Sequence, residues 1–252
     1  MSDGVTALVS TDLEEASFLA AFTERTGGVS GSPFESLNLS LSGGDAPNRV
    51  TENRRRVCRA LGIERFASGH QVHGSTARMV GRSEAGAGFA DPGAALPSTD
   101  ALATLVPGVA LAVLVADCVP IALGSPSEGR LCVVHAGWRG IAAGIVTSAV
   151  AMFHRPRDIV AAIGPAVGLD HYEVGHGVAA SVSAAAAGQA VIEGAGERVR
   201  LDLAATAAGI LEACGIRRIE RALECTACQP DRFYSFRGEG ITGRQALVAV
   251  RM

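Results

Sequence analysis

The chain has 252 residues, 48% of them hydrophobic, and a formal net charge of −3; this is enough apolar material for a large core and too little positive charge for a nucleic-acid binder. All 22 basic residues are arginine, which excludes chemistry that needs a lysine amine, such as a Schiff base or a P-loop lysine. The N-terminal "MSDGVTALVSTDLEE" lacks a signal-peptide pattern, and the apolar stretch from Val109 to Leu123 is broken by Asp117 and Pro120, so no membrane span is expected and the expected address is the cytoplasm, where the cysteines stay reduced.

In chain order, the apolar patterns predict strands over 7–10 and 18–23, a helix over 48–61 closed by Gly62, and strands over 67–72 and 76–80. A long Gly-, Ala- and Pro-rich surface loop follows over 81–100. Strands are then expected over 109–116 and 131–135, a helix over 141–153, a strand over 158–163 and a helix over 177–187. A helix over 203–214, begun by Asp202 and ended by Gly215, precedes strands over 216–222 and 245–250. The arginine groups at 54–56 and 217–221 read as solvated faces. Helices and strands mix without strict alternation, which predicts an α+β fold with mixed sheets, most simply one domain over 1–252.

Three of these apolar segments end in polar groups beside glycine or proline turns: "SGHQVHG" delivers His73, "LAVLVADC" delivers Asp117 and Cys118, and "LCVVHAG" delivers His135. Strand ends feeding such turns are where rigid sheet positions side chains for a ligand. On an extended chain His70 and His73 point to opposite faces while Gln71 and His73 share one, so His73, nearer the turn, is the candidate. The same rule separates Asp117 from Cys118 and gives Asp117 a supporting role. One cysteine and two histidines suit zinc with a fourth position open. Cys58, Cys132 and Cys214 lie in apolar patterns and read as inert, while Cys225 and Cys228 in "CTAC" have zinc-knuckle spacing without a second such pair. In "HAGWRG" the expected helix starts just after His135, so Arg139 meets free backbone N–H groups there, serving either a bound phosphate or an ion pair with Asp117 or another carboxylate. A metal-free alternative pairs Cys118 as nucleophile with His135 as base, giving a hydrolase or amidase.

"TERTGGVSGSPFESLNLS", "HQVHG", "TDALAT", "VADCVP", "VVHAGWRG", "AAIGPAVG", "YEVG", "LDL", "CTAC" and "SFRGEGITGRQA" occur in this order. Together they resemble the bacterial family long labelled laccase-like or polyphenol oxidoreductase. The resemblance implies an αββα β-sandwich of mixed sheets flanked by helices, and zinc bound by His73, Cys118 and His135. It also implies phosphorolysis of adenosine, inosine and methylthioadenosine, adenosine deamination, and a relationship to peptidoglycan editing. Arg25, Asn38, Gln71 and Arg139 are the matching candidates for substrate contacts, and Cys118, Asp117 and His135 for catalysis. The second arginine usual near the C-terminus is replaced here by Gly238 after Arg237. A multicopper centre needs more histidines than the six present, although copper binds such ligands tightly.

Overall fold

The computed structural model describes residues 4–252; Met1 to Asp3, the start of the expected domain, lie outside the described residues. Two mixed sheets carry the fold. The first orders β1 (Ala7–Val9), β2 (Phe18–Thr23), β14 (Gln245–Arg251), β6 (Ala110–Val115) and β3 (Phe66–Ser68). The second orders β13 (Arg218–Arg221), β9 (Val160–Ile163), β7 (Val119–Ser125), β8 (Arg130–Ala136), β5 (Ala101–Thr104) and β4 (Ala77–Met79). Pairs β3–β6, β13–β9 and β4–β5 are parallel and the other pairs in these two sheets antiparallel. A small sheet, β10 (Glu173–Gly175), β12 (Arg198–Asp202) and β11 (Val191–Glu193), lies beside them.

Alternation along the strands sorts the layers. Leu111, Val113, Leu247 and Ala249 of the first sheet meet Ala122, Leu131, Val133 and Ala162 of the second. Ala110, Ala112, Ala246 and Val248 instead face Val57 and Cys58 of α2 (Pro47–Leu61). The far face of the second sheet packs under α3 (Trp138–Ala142), α4 (Ile145–Val150), α5 (His176–Ala185) and α6 (Leu203–Ala213). The result is the expected αββα sandwich. Truncating Leu111 between the sheets would cost about 2–5 kcal/mol.

Local signals act as read at several ends. Pro47 opens α2 and Gly62, at φ 68°, closes it, while the Asp202 carboxylate accepts the Ala205 N–H at 2.8 Å to start α6. Other expectations need correction. The strand expected over 67–72 stops at Ser68. The helix expected over 141–153 begins at Trp138 and breaks at Gly144, φ 86°, into two short helices. Strands β5, β7 and β10 to β12 and helices α1 (Thr11–Glu15) and α7 (Phe236–Glu239) were not anticipated. Arg54 does not lie on a solvated face: it is 2% exposed, on the same stripe of α2 as Val50 and Val57.

Candidate active site

Beyond β3 the first sheet is continued by a side chain. Gln71 donates to the Leu114 carbonyl and accepts the Leu114 N–H, both at 2.8 Å, which carries the chain to His73. There the backbone turns left-handed, φ 59°, a conformation that needs outside support in a non-glycine residue. Asp100, fully buried beside the first residue of β5, supplies it. Its carboxylate accepts the N–H groups of Val72, His73 and Gly74 at 3.2, 3.0 and 2.8 Å. The same carboxylate lies 2.8 Å from Nδ1 of His135 in β8, which leaves Nε2 of that ring for the site. Cys118 follows Asp117, whose φ of 86° bends the chain between β6 and β7.

These elements bring one ligand atom each of His73, Cys118 and His135 within 4.8 Å of one another. Cys118 Sγ and His73 Nε2 are 3.8 Å apart, close to the roughly 3.5 Å edge of a tetrahedron built from Zn–S and Zn–N bonds of about 2.3 and 2.0–2.1 Å. Gly137 makes room for the group: a Cβ there would lie 2.9 Å from both Cys118 Sγ and His73 Cδ2. The donor set, the carboxylate behind His135 and the gap kept open by glycine all fit a zinc-type ion.

Without a metal the same geometry stabilises an ion pair. Burial opposes the Cys118 thiolate, but His135 and then His73 outweigh it and bring the thiol down to about 6. Burial likewise opposes charge on His135, yet Cys118 and Asp100 raise it to about 9. Asp100 is held below the usual carboxylate range because His135 and the Gly74 and Val72 N–H groups outweigh its burial.

The group opens into a cleft of about 790 Å³ lined by Arg54, Arg139, Arg237 and Arg244, with Asp117 as the one carboxylate on its wall among the described residues. Asp117 is already engaged, accepting the Thr226 hydroxyl and the Arg237 N–H, each at 2.6 Å. Arg54 donates to the main-chain carbonyls of Leu39, Gly88 and Phe89 at 2.8, 2.6 and 2.9 Å, and burial pulls it down to about 10. Arg244 donates to the Thr242 and Gly243 carbonyls at 3.0 and 2.8 Å; burial lowers it, against the pull of Cys118 and Asp117. Arg139 is exposed and stacks 4.5 Å over Trp138.

The family described as multi-copper polyphenol oxidoreductase laccase matches residues 19–252. The chain belongs to this family. A Deinococcus radiodurans member named purine nucleoside phosphorylase is 41% identical over 231 residues, covering 89% of this chain and 85% of its own. A Geobacillus stearothermophilus relative, named purine nucleoside phosphorylase YlmD, is 37% identical over 242 residues, covering 91% and 88%. In the crystal structure of YlmD from that organism the fold recurs with a TM-score of 0.92 at 34% identity, over 100% of this chain and 97% of that one. The Bacillus licheniformis hypothetical protein YfiH gives 0.91 at 30% identity, again over 100% and 97%.

Within this family member the structure gathers His73, Cys118, His135, Asp117, Gln71 and Arg139 around one cleft and places Arg25 and Asn38 elsewhere. Arg25 bonds the Glu35 and Pro230 carbonyls at 2.9 and 2.6 Å, pairs with Glu239 at 2.8 Å and lies over the Tyr234 ring. Asn38, fully buried, bonds Asp45 at 3.0 Å and accepts the Arg244 N–H at 2.9 Å, behind the wall that Arg244 forms. The aromatic rings on the wall are Trp138, Tyr172 and Phe236, while Phe34, Phe233 and Tyr234 are buried. Sequence reasoning missed Asp100, Arg54 and Arg244. For Asp100 a signal existed in "TDALAT", a carboxylate set directly before an apolar run.

Proposed function

We propose that the protein is a zinc-dependent purine nucleoside phosphorylase acting in the cytoplasm, which converts adenosine, inosine or methylthioadenosine and phosphate into free base and (methylthio)ribose 1-phosphate. The observation that carries the reading is a cleft that sets four arginines against one engaged carboxylate, beside the His73, Cys118 and His135 donors. The names of the relatives supply the substrate class.

Phosphorolysis needs an anion held against the sugar and a surface for the base. Arg54, almost fully buried, and Arg244, half-buried, are desolvated cations whose hydrogen bonds go to main-chain carbonyls, which suits them to a phosphate. Arg139 and Arg237 widen the positive field. Trp138, Tyr172 and Phe236 are the rings within reach of a purine, each with an arginine over one face, Arg139, Arg237 and Arg244 at 4.5, 4.8 and 5.8 Å. In the reaction a phosphate oxygen bonds to C1′ of the ribose as the C1′–N9 bond breaks. The bonding pair leaves with the base, and the proton of hydrogenphosphate ends on it. His73, Cys118 and His135 would hold zinc, which supplies a Lewis acid when bound; copper binds the same donors tightly, but phosphorolysis has no redox step for it to serve.

The proposal includes adenosine deamination at the same cleft, water replacing the C6 amine to give inosine and ammonia. Asp117 is the candidate proton carrier, although both its oxygens already accept hydrogen bonds; unchanged deamination in Asp117→Asn removes it from that role. A second reading rests on the Cys118, His135 and Asp100 chain, which has the order of a nucleophile, base and orienting acid. It makes the metal-free protein a hydrolase or amidase, with peptidoglycan precursors as substrates.

One experiment separates these readings. Zinc-loaded protein is incubated with each nucleoside, with and without phosphate, and the products are identified by mass. Base and ribose 1-phosphate only when phosphate is present, with none from Cys118→Ala, is the expected result. No product from any nucleoside, or hydrolysis that survives chelation and is stopped by iodoacetamide, overturns the phosphorylase reading.

A further inference from the structure

A second cluster of soft donors lies outside the cleft lining. One ligand atom each of His171, Cys225 and Cys228 lie within 4.8 Å of one another. The fold, not sequence spacing, completes the set. Ala166 and Cys225 form a parallel bridge, and the Thr226 N–H donates to the Ala166 carbonyl at 3.0 Å. This fixes the "CTAC" segment alongside the turn Leu169–His171, and His171 joins the two cysteines across more than fifty residues of chain.

Details of the cluster favour a metal over a chance contact. Cys225 Sγ accepts the Gly168 N–H at 3.1 Å, the kind of backbone bond that orients and stabilises a ligating sulfur. Gly168 permits that approach, since a Cβ there would sit 3.2 Å from both Cβ and Sγ of Cys225. The neighbouring carboxylate, Asp170, pairs with Arg200 at 2.8 Å, leaving a sulfur- and imidazole-rich set that hard ions such as magnesium or calcium do not favour. His171 and Cys228 are exposed, so an ion can reach the cluster from solvent.

We propose that His171, Cys225 and Cys228 form a second zinc site, which clamps the 168–172 turn to the 225–228 segment. The neighbours of the ligands show what the clamp would hold. Tyr172, next to His171, lines the cleft. Thr226, next to Cys225, donates its hydroxyl to Asp117 at 2.6 Å, and Asp117 precedes Cys118. An ion here positions one wall of the cleft without touching substrate. The proposal does not depend on the phosphorylase reading, since its test counts metal.

The test uses the full chain, stripped with a chelator, kept reduced with a phosphine and titrated with Zn²⁺ against a chromophoric competitor. The wild type should take up two zinc ions per chain. Cys228→Ser and, separately, His171→Ala should each take up one, with far-UV circular dichroism unchanged; His73→Ala should also retain one, at the loop. Hydrogen exchange of the 168–172 backbone should slow on zinc addition in the wild type and not in Cys228→Ser. A single ion in reduced wild type and in Cys228→Ser alike overturns the proposal. So does a second ion that Cys228→Ser binds as tightly as the wild type. If the unreduced protein is 2 Da lighter, as a Cys225–Cys228 disulfide requires, and still binds one ion after reduction, the pair is redox chemistry rather than a metal site.

Discussion

Asp100 ties together the two histidines of the donor group: its carboxylate takes three consecutive backbone N–H groups around His73 and also contacts the His135 ring. With that frame in place, Cys118 is poised as a thiolate whether or not a metal is bound. A thiol whose folded value is lowered from 9.0 to about 6 stabilises the fold above the unfolded value, and that contribution is lost as pH falls through about 6. The alkylation of Cys118 by iodoacetamide in chelator-treated protein should therefore rise through about pH 6 and level off well below pH 9, and zinc should suppress it. A folded-state midpoint near 9 would remove the ion pair with His135. Arg244 carries a separate expectation. If it binds the phosphate, Arg244→Gln loses a charged hydrogen bond of about 1.5–3 kcal/mol, equivalent to roughly 10–160-fold in KM for phosphate. Zinc content should not change; an unaltered phosphate KM would move the anion to another arginine.

Among the elements, α7 and its flanks show how a short segment is held at the cleft. Ser235 caps it by accepting the Gly238 N–H at 3.0 Å. Glu239 then accepts the Ser235 N–H, the Thr242 hydroxyl and the Arg25 guanidinium at 3.2, 2.7 and 2.8 Å. Burial opposes ionisation of Glu239, but Thr242, Arg25 and Ser235 outweigh it and hold the carboxyl below its usual range. Its stabilisation is therefore present above the unfolded carboxylate value and is lost as pH falls through the lower folded one. Amide exchange over 235–240 should be faster in Glu239→Gln than in the wild type at pH 7, and the two should converge only once pH has fallen below the ordinary carboxylate range. Equal exchange at pH 7 would mean that Glu239 is not the latch. Elements like this explain what was legible in the sequence. Long apolar strands and capped helices announced themselves, whereas β7 was hidden because Pro120 and Gly124 read as breakers in what is a wholly buried central strand. His73 is marked by its neighbouring glycine; parity along an extended chain does not reach it, because the backbone there is left-handed. Arg54 was missed because an arginine triplet reads as solvated, yet its spacing from Val50 and Val57 places it on the apolar stripe.

At the scale of the molecule, the donor group joins the two sheets. His73 follows β3 of the first sheet, Cys118 sits where the chain passes from β6 in the first to β7 in the second, and His135 belongs to β8 of the second. The sheets already share an apolar layer, so an ion at their edge adds a cross-link that the unfolded chain cannot form. By mass action, free zinc at about 100 times its dissociation constant stabilises the native state by about 2.7 kcal/mol. For a chain of this size that corresponds to a rise in Tm of roughly 5–11 °C. The measurement belongs in Cys228→Ser protein, where the loop cluster has lost a donor and contributes no shift of its own. Adding zinc to the chelated form should raise Tm by that amount, and His73→Ala in the same background should abolish the rise. Gly137→Ala should abolish it too, because the added methyl would occupy the space between Cys118 Sγ and His73 Cδ2. A full zinc-dependent rise that persists in His73→Ala would show that the two sheets are not linked through this group, and that the ion stabilises the chain from some other position.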